Sequence, residues 1–131
     1  MCVGGDHGFV RWNASALLNL WGLDPTSIVH PTSFIDQNAL LERGVQIMQC
    51  AVLGNSVHVG DQSIVNTATS MDHDCEIGRG VHMMGAAALT SDLKVGDFVS
   101  IRTNATVIPR ITTGEGSFVG ADAVVTRDVP N

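Results

Sequence analysis

The chain has 131 residues, the length of one domain with its own core. Its net charge of -6 at pH 7 argues against a nucleic-acid partner, because no run of Lys or Arg could follow a phosphate backbone. No stretch approaches the roughly 20 apolar residues of a membrane span, and the first residues lack the basic and apolar regions of a secretory signal, so no membrane partner is expected.

The composition predicts a narrow aliphatic core in a reducing compartment. Hydrophobic residues make up 44% of the chain, whereas aromatic residues make up 5% and tyrosine is absent. The three cysteines, Cys2, Cys50 and Cys75, are odd in number and form no CxxC pair. Because such usage is typical of reduced proteins, we expect a cytoplasmic location.

The segment before Val29 predicts a short α-helix. Apolar residues recur at three- and four-residue steps from Phe9 to Trp21, as on an amphipathic helix. Gly22 is expected to end the helix, and Pro25 follows soon after.

This segment, residues 1–28, is expected to cap one end of the repeat that follows. An open end of a solenoid exposes apolar layers and unpaired strand edges. We expect Trp12 and Trp21 to pack there as anchors. The run VGGDHG before the helix lacks the G-x-G-x-x-G spacing of a phosphate-binding loop, so that role is not favoured.

A six-residue repeat fills the remainder of the chain. From Val29 to Pro130 the sequence divides into 17 consecutive hexads without an insertion. The first position is Val, Ile, Leu or Met in every hexad except the one that begins at Thr113, and the fifth is always small or aliphatic. Repetition at a short fixed period predicts a β-solenoid.

The apolar positions indicate how the solenoid is built. First and fifth side chains are expected to point into a prism, and Gly, Asn, Asp, Pro and Ser between them suit corners. Three hexads would form one triangular coil, and coils would stack at the strand spacing of about 4.8 Å. Residues 29–131 are therefore expected to form one all-β domain, and a plain solenoid without a site is one alternative.

The hexad MDHDCE contains the strongest candidate for catalysis. Met71 and Cys75 occupy the first and fifth positions and should face inward, whereas Asp72, His73 and Asp74 should face outward. A histidine oriented by a neighbouring carboxylate can serve as a general base near neutral pH.

An acyl-cysteine mechanism is disfavoured by the same register. Cys75 should be buried, and buried thiols are usually inert. Cys50 lies near a corner, but no histidine adjoins it in register. By contrast, four polar residues are expected to gather around His73: Asn66, Asp74, His82 and Ser91.

Two segments, VNTATSMDHDCEIGRGVHM and GSFVGADAVVTRDVP, extend the pattern beyond the hexad. Over about 100 residues the chain resembles the sialic-acid O-acetyltransferase-like subgroup of hexapeptide-repeat acyltransferases, which includes nucleotide-amino-sugar N-acetyltransferases. The resemblance implies a left-handed parallel β-helix, acetyl-CoA as acyl donor, no metal, and a homotrimer. The hand rests on the resemblance alone, because crossovers between parallel strands are generally right-handed.

The resemblance also assigns roles to individual residues, in a direct transfer from acetyl-CoA to a sugar amine or hydroxyl. His73 is the implied catalytic base and Asp74 the acid that assists it. The other implied site residues are Asn66 in the acceptor site, His82 near the acyl group, the main-chain amide of Ser91 at the acetyl carbonyl, and Thr103 and Ala121 along the acyl-donor arm, in a groove between two subunits.

Three features depart from the family's pattern. Ser91 and Arg102 stand where family members usually carry glycine, and Arg102 would either crowd the donor groove or pair with its phosphates. Members also carry an N-terminal Rossmann-like domain, of which residues 1–28 resemble only the last strand and helix.

Two other functions stay open on the sequence. A catalytically silent trimeric scaffold, or a truncated fragment, would show the same repeat. A metalloenzyme of the γ-class carbonic anhydrase type shares the fold, but the spacing of His58, His73 and His82 does not fit that family's ligand pattern.

Overall fold

The computed structural model describes residues 3–131, a range that holds helix α1 (Gly8–Leu20) and 17 two-residue strands. Cys2 lies outside the described residues. The strands in chain order are β1 (Ile28–Val29), β2 (Phe34–Ile35), β3 (Leu40–Leu41), β4 (Gln46–Ile47), β5 (Val52–Leu53), β6 (His58–Val59), β7 (Ile64–Val65), β8 (Ser70–Met71), β9 (Glu76–Ile77), β10 (His82–Met83), β11 (Ala88–Leu89), β12 (Lys94–Val95), β13 (Ser100–Ile101), β14 (Thr106–Val107), β15 (Thr112–Thr113), β16 (Phe118–Val119) and β17 (Val124–Val125).

Every third strand joins the same parallel sheet, so the chain forms a triangular prism. Sheet A has the order β1-β4-β7-β10-β13-β16, sheet B has β17-β14-β11-β8-β5-β2, and sheet C has β15-β12-β9-β6-β3. One coil takes 18 residues, as the pairing of Ile64 with His82 shows. The prism has about five turns and is a left-handed parallel β-helix. The predicted fold class is confirmed.

Three corners connect the sheets. Corner AB, between sheets A and B, includes residues 66–69, 84–87, 102–105 and 120–123. Corner BC includes 54–57, 72–75, 90–93 and 108–111, and corner CA includes 60–63, 78–81 and 96–99. The location of each side chain on the prism is therefore given by its hexad position and its coil.

The predicted inward positions form the core. Fifth-position Cys75 and Val81 and first-position Val65 and Met83 are fully buried, whereas the sixth position faces outward. Thr113, the exception among first positions, is also buried, and its hydroxyl has no hydrogen-bond partner in the described part of the chain. The prism interior therefore follows the hexad even where one residue is polar.

The fourth hexad position places the backbone in the left-handed region at almost every corner. Eleven non-glycine residues have φ between 56° and 64°, among them Ala68, Ala86 and Asp74. Glycine takes the same conformation at Gly44, Gly80 and Gly116. This conformation costs an L-residue about 1–2 kcal/mol, so the corners store strain that burial of the core offsets.

Ala68→Gly is expected to stabilise the fold. The substitution relieves the left-handed strain and costs about 0.5–1 kcal/mol in chain entropy, which leaves a gain of about 0.5–1 kcal/mol in the free energy of unfolding. Urea titration measures it. The matched control Ala51→Gly lies at a fully buried fifth position and should destabilise. A loss of stability in Ala68→Gly would contradict the strain at this position.

Helix α1 ends as the sequence predicts. The N–H of Gly22 donates to the carbonyl of Asn19 at 3.0 Å, and that of Leu23 donates to the carbonyl of Leu18 at 3.2 Å. Gly22 has φ +78°, which completes a Schellman motif.

The packing of α1 differs from the predicted end cap. Its contacts lie along corner CA, where Trp12 and Phe9 meet Phe98 edge-on and the guanidinium of Arg79 stacks on Trp12 at 4.7 Å. Trp21 is 70% exposed and anchors nothing in the described chain. The helix thus lies beside the prism rather than across its end.

The buried face of α1 is polar, which reverses the expected amphipathicity. Arg11 is buried, and its guanidinium donates to the carbonyls of Gln62 at 2.6 Å and Gly80 at 3.0 Å. Gly8 faces the same corner, where a Cβ would lie 1.9 Å from the Gly80 oxygen. Unpaired corner carbonyls, rather than an apolar surface, therefore select the face that docks.

Candidate active site

His73 lies outside the prism with one ring nitrogen already engaged. Its side chain is 54% exposed, whereas Cys75, two residues on, is fully buried. His73 Nδ1 donates to Oδ2 of Asp74 at 2.7 Å, and the left-handed backbone of Asp74 holds that carboxylate beside the ring. Nε2 is left as the free nitrogen, so the arrangement suits a general base.

The carboxylates around His73 favour its protonated form. The hydrogen bond to Asp74 raises the pKa of His73 above its ordinary value, and the negative charges of Asp72, Asp74 and Asp92 act in the same direction. Partial desolvation opposes them but does not prevail. Asp74 therefore both orients the ring and makes it a stronger base.

Neither described cysteine is placed for acyl transfer. Burial raises the pKa of the Cys75 thiol, whose Sγ donates to the carbonyl of Thr90 at 2.9 Å. Cys50 is exposed, and its Sγ lies 3.8 Å from the hydroxyl of Thr32, which separates it from His30. A thiol without a base beside it is a weak nucleophile at neutral pH.

Ser91 occupies the same corner as His73, one coil further on. The turns stack directly, since the N–H of Asp92 donates to the carbonyl of His73 at 3.0 Å. The N–H of Ser91 donates to no other group in the described part of the chain. It is thus a free donor about one strand spacing, roughly 4.8 Å, from the base.

Asn66 and His82 form a second polar pair, at the edge where sheet A meets corner AB. Asn66 Oδ1 accepts from the N–H of Thr67 at 2.7 Å, which turns Nδ2 toward His82 Nε2 at 3.5 Å. His82 is buried, and this burial lowers its pKa. The ring is therefore neutral at neutral pH and presents an acceptor at Nε2.

The two residues predicted along the acyl-donor arm lie on corner AB as well. Thr103 and Ala121 are exposed third-position residues, two and three coils beyond Thr67. The N–H of Asp122 donates to the carbonyl of Thr103 at 3.1 Å, so these corner turns are in register. They form one line along the prism with Thr67, the neighbour of Asn66.

One chain does not bring the predicted site residues together. His73, Asp74 and Ser91 are on corner BC, whereas Asn66, His82, Thr103 and Ala121 lie at or beside corner AB. The outward face of sheet B separates the two groups. One hexad separates the two corners, and six extended residues span up to about 20 Å. The single polar cluster expected around His73 is therefore divided into two groups.

Residues before α1, to which the sequence assigned no role in the site, contact the second group. His82 Nδ1 donates to the carbonyl of Gly5 at 2.9 Å, and Arg102 forms an ion pair with Asp6. Arg102 also stacks on Phe118 at 4.7 Å. Because its guanidinium is engaged by Asp6 and Phe118, it neither simply crowds corner AB nor is free to bind a phosphate. The one sequence signal for this contact is the glycine-rich run VGGDHG, because glycine allows the backbone to approach another element closely.

No group of three or more His, Cys, Asp or Glu side chains within residues 3–131 is placed to hold a metal ion. His58 is on sheet C, His73 on corner BC and His82 on sheet A. Within the same residues, no helix is long and apolar enough to cross a membrane.

The repeat and the corners define a left-handed parallel β-helix built from hexads, with an exposed histidine on corner BC. No protein-family model matches the sequence, and no curated protein is significantly similar to it. Solved structures do match. PerB from Caulobacter crescentus, in complex with CoA and GDP-perosamine, is 30% identical with a TM-score of 0.95 over 97% of this chain and 61% of that chain.

Two further solved structures are similar to this chain. A histidine-to-asparagine mutant of perosamine N-acetyltransferase from Caulobacter crescentus, with CoA and GDP-perosamine, is 29% identical with a TM-score of 0.94, covering 96% of this chain and 60% of that one. The acetyltransferase domain of PglB from Neisseria gonorrhoeae, with acetyl coenzyme A, is 28% identical with a TM-score of 0.93, covering 97% and 62%. The resemblance to sugar N-acetyltransferases of the hexapeptide-repeat family is confirmed, and the chain spans about three fifths of their length.

Proposed function

We propose that the protein is an acetyltransferase that moves an acetyl group from acetyl-CoA to an amine or hydroxyl of a sugar. The observation that carries this proposal is the exposed His73, held by Asp74 through Nδ1 and free at Nε2, one coil from the unengaged amide of Ser91. The relatives' complexes with CoA and GDP-perosamine support this donor, and they support a nucleotide-linked amino sugar as acceptor.

The chemistry is a direct transfer in which His73 handles the proton. Nε2 of His73 takes a proton from the attacking amine or hydroxyl, whose nitrogen or oxygen bonds to the thioester carbonyl carbon. The N–H of Ser91 stabilises the negative oxygen that forms, and such a donor is worth ~10²–10³ in rate. Collapse breaks the carbon–sulfur bond, and the thiolate of CoA takes the proton back from His73.

The site is completed by a second copy of the chain. Asn66 and His82 cannot reach a thioester held at His73 in the same chain, because sheet B lies between them. Corner AB of one subunit placed against corner BC of the next brings both groups to one cleft. An interface between two different surfaces of identical subunits forms a ring when its rotation closes, and we propose that three prisms form such a ring, a homotrimer.

Sheet B is the face that such a trimer would use. Its outward residues are uncharged: Phe34, Val52, Ser70, Ala88, Thr106 and Val124. The outward face of sheet C instead carries His58, Glu76 and Lys94, and residues 3–5 lie over part of sheet A. Charged residues are depleted at the core of protein–protein interfaces, so an uncharged face suits burial in one.

We also propose a cytoplasmic location, supported by the free thiols of Cys50 and Cys75.

The activity is tested by release of free thiol from acetyl-CoA in the presence of amino sugars, both nucleotide-linked and free. We expect release that depends on one acceptor class and yields an acetylated sugar by mass spectrometry. Binding of CoA in a calorimeter without transfer to any acceptor would instead support a catalytically silent scaffold.

Asp74→Asn is expected to move the pH dependence of kcat/KM to lower pH. His73 must be neutral to act, so activity rises as pH passes its raised pKa, above the ordinary value of about 6.5. Removing the charge of Asp74 lowers that pKa and shifts the rising limb down. The rate at high pH should also fall, because the ring loses its fixed orientation. An unmoved limb would show that His73 is not the titrating base.

A further inference from the structure

Three contacts hold the segment before α1, one each with sheet A, corner AB and α1. The carbonyl of Gly5 accepts from His82 Nδ1 at 2.9 Å, Asp6 pairs with Arg102, and the carbonyl of Val3 accepts from Arg11 at 3.1 Å. Arg11 is buried and its other donors are held by corner CA. Residues 3–6 are therefore held by partners on both sides of the His82 contact.

The contact with Gly5 determines which nitrogen of His82 carries the proton. A carbonyl only accepts, so Nδ1 must hold the hydrogen and Nε2 must hold the lone pair. Asn66 agrees with this assignment independently, because its Nδ2 donor faces Nε2 while its oxygen is taken by the N–H of Thr67. Two separate partners thus require the same tautomer of one buried ring.

The Asp6–Arg102 pair is the part of this arrangement that depends on side chains. Arg102 stacks on Phe118 at 4.7 Å, which holds the guanidinium above sheet A where Asp6 can meet it. Gly5, the neighbour of Asp6, has φ +64°, a backbone state that an L-residue adopts only with strain. The pair, on the residue next to Gly5, is therefore placed to hold the glycine in this conformation, with its carbonyl directed at the ring.

We infer that Asp6 and Arg102 are positioning residues for His82: their ion pair holds the Gly5 carbonyl on Nδ1 and leaves Nε2 as the acceptor beside Asn66. The catalytic role of this ion pair rests on the proposed function, whereas the positioning of the His82 ring does not. Arg102 thereby gains a role that does not involve the acyl donor. The segment VGGDHG becomes part of the site through its backbone.

The test observes the ring directly, without substrate. Long-range proton–nitrogen NMR spectra of the full chain with ¹⁵N-labelled histidine distinguish the Nδ1–H from the Nε2–H tautomer, and His82→Asn identifies the signal of His82. Wild type should show Nδ1–H alone. Asp6→Asn and Arg102→Gln should each give a mixture, and the exchanged pair Asp6→Arg/Arg102→Asp should restore the single tautomer.

Asp61→Asn is the matched control, since it weakens another ion pair, with Arg43 at 3.5 Å, that does not include residues 3–6. It should leave the spectrum of His82 unchanged. With an acetyl-CoA assay, an equal mixture of tautomers lowers kcat at least about twofold while the rising limb set by His73 stays in place.

A single Nδ1–H tautomer in Asp6→Asn and in Arg102→Gln would overturn the inference. A change in the KM for acetyl-CoA alone in Arg102→Gln, with the tautomer intact, would also overturn it and assign Arg102 to the donor. If no acceptor is acetylated at all, the proposed function fails, but the tautomer result still decides the positioning role.

Discussion

His73→Ala is expected to lower kcat by about 10²–10⁴ while the β-helix stays folded. The imidazole is exposed and contributes nothing to the core, so its removal should leave the unfolding transition in place. What is lost is the acceptor for the proton of the attacking amine or hydroxyl. Steady-state kinetics with acetyl-CoA, alongside circular dichroism, measures both quantities.

Cys75→Ala provides the matched control from the same turn. It removes a buried thiol two residues from His73, so it should reduce stability somewhat but leave kcat close to that of the wild type. Full turnover in His73→Ala would remove the base from the mechanism. Loss of turnover in folded Cys75→Ala would instead support an acyl-cysteine intermediate.

Mixing two inactive chains is expected to restore activity, because each site of the proposed trimer takes residues from two subunits. One chain carries His73→Ala and the other carries His82→Ala, and they are co-expressed in equal amounts with different affinity tags. Random assembly puts both chains in three quarters of the trimers, and each of these has one intact site of three. About a quarter of wild-type activity should therefore return.

The control combines His73→Ala with a chain that carries both substitutions. Every site then lacks His73, so the mixture should stay as inactive as its components. If the first mixture is equally inactive although mixed trimers are purified through both tags, the two groups do not share a site. High activity in His82→Ala alone would exclude that histidine from the chemistry.

The sequence predicts the solenoid well because its signal is strictly local. Each hexad states which side chains point inward, so the outward His73 and the buried Cys75 follow from their positions within MDHDCE. The same rule predicts Thr113 as an inward residue despite its hydroxyl. Handedness has no such local signal and came from the resemblance.

The grouping of the site residues failed for a geometric reason. Asn66 and His73 are seven residues apart, which looks close along the chain, but one hexad carries the backbone to the next corner. Only residues 18 apart, such as His73 and Ser91, share a corner on adjacent coils. The spacing shows which residues are in line along one corner, whereas the proposed cleft would need a second chain to bring the two groups together.

The docking of α1 was missed because hydrophobic periodicity says nothing about unpaired carbonyls. The apolar positions from Phe9 to Trp21 describe a face that turned out to point mostly outward. The helix is held instead by Arg11, a residue that the apolar pattern treats as solvated. The need to pair the buried carbonyls of corner CA, rather than the hydrophobic periodicity, determines which face of α1 packs against the prism.

The 18-residue coil constrains how such a chain can change length. Adding or losing a single hexad between His73 and Ser91 would rotate every later residue to a neighbouring side and separate that amide from the histidine. A whole coil, by contrast, leaves each residue on its own side and displaces it by one rung of about 4.8 Å. Tolerated insertions should therefore come in multiples of three hexads, or bulge out of a corner without altering the count.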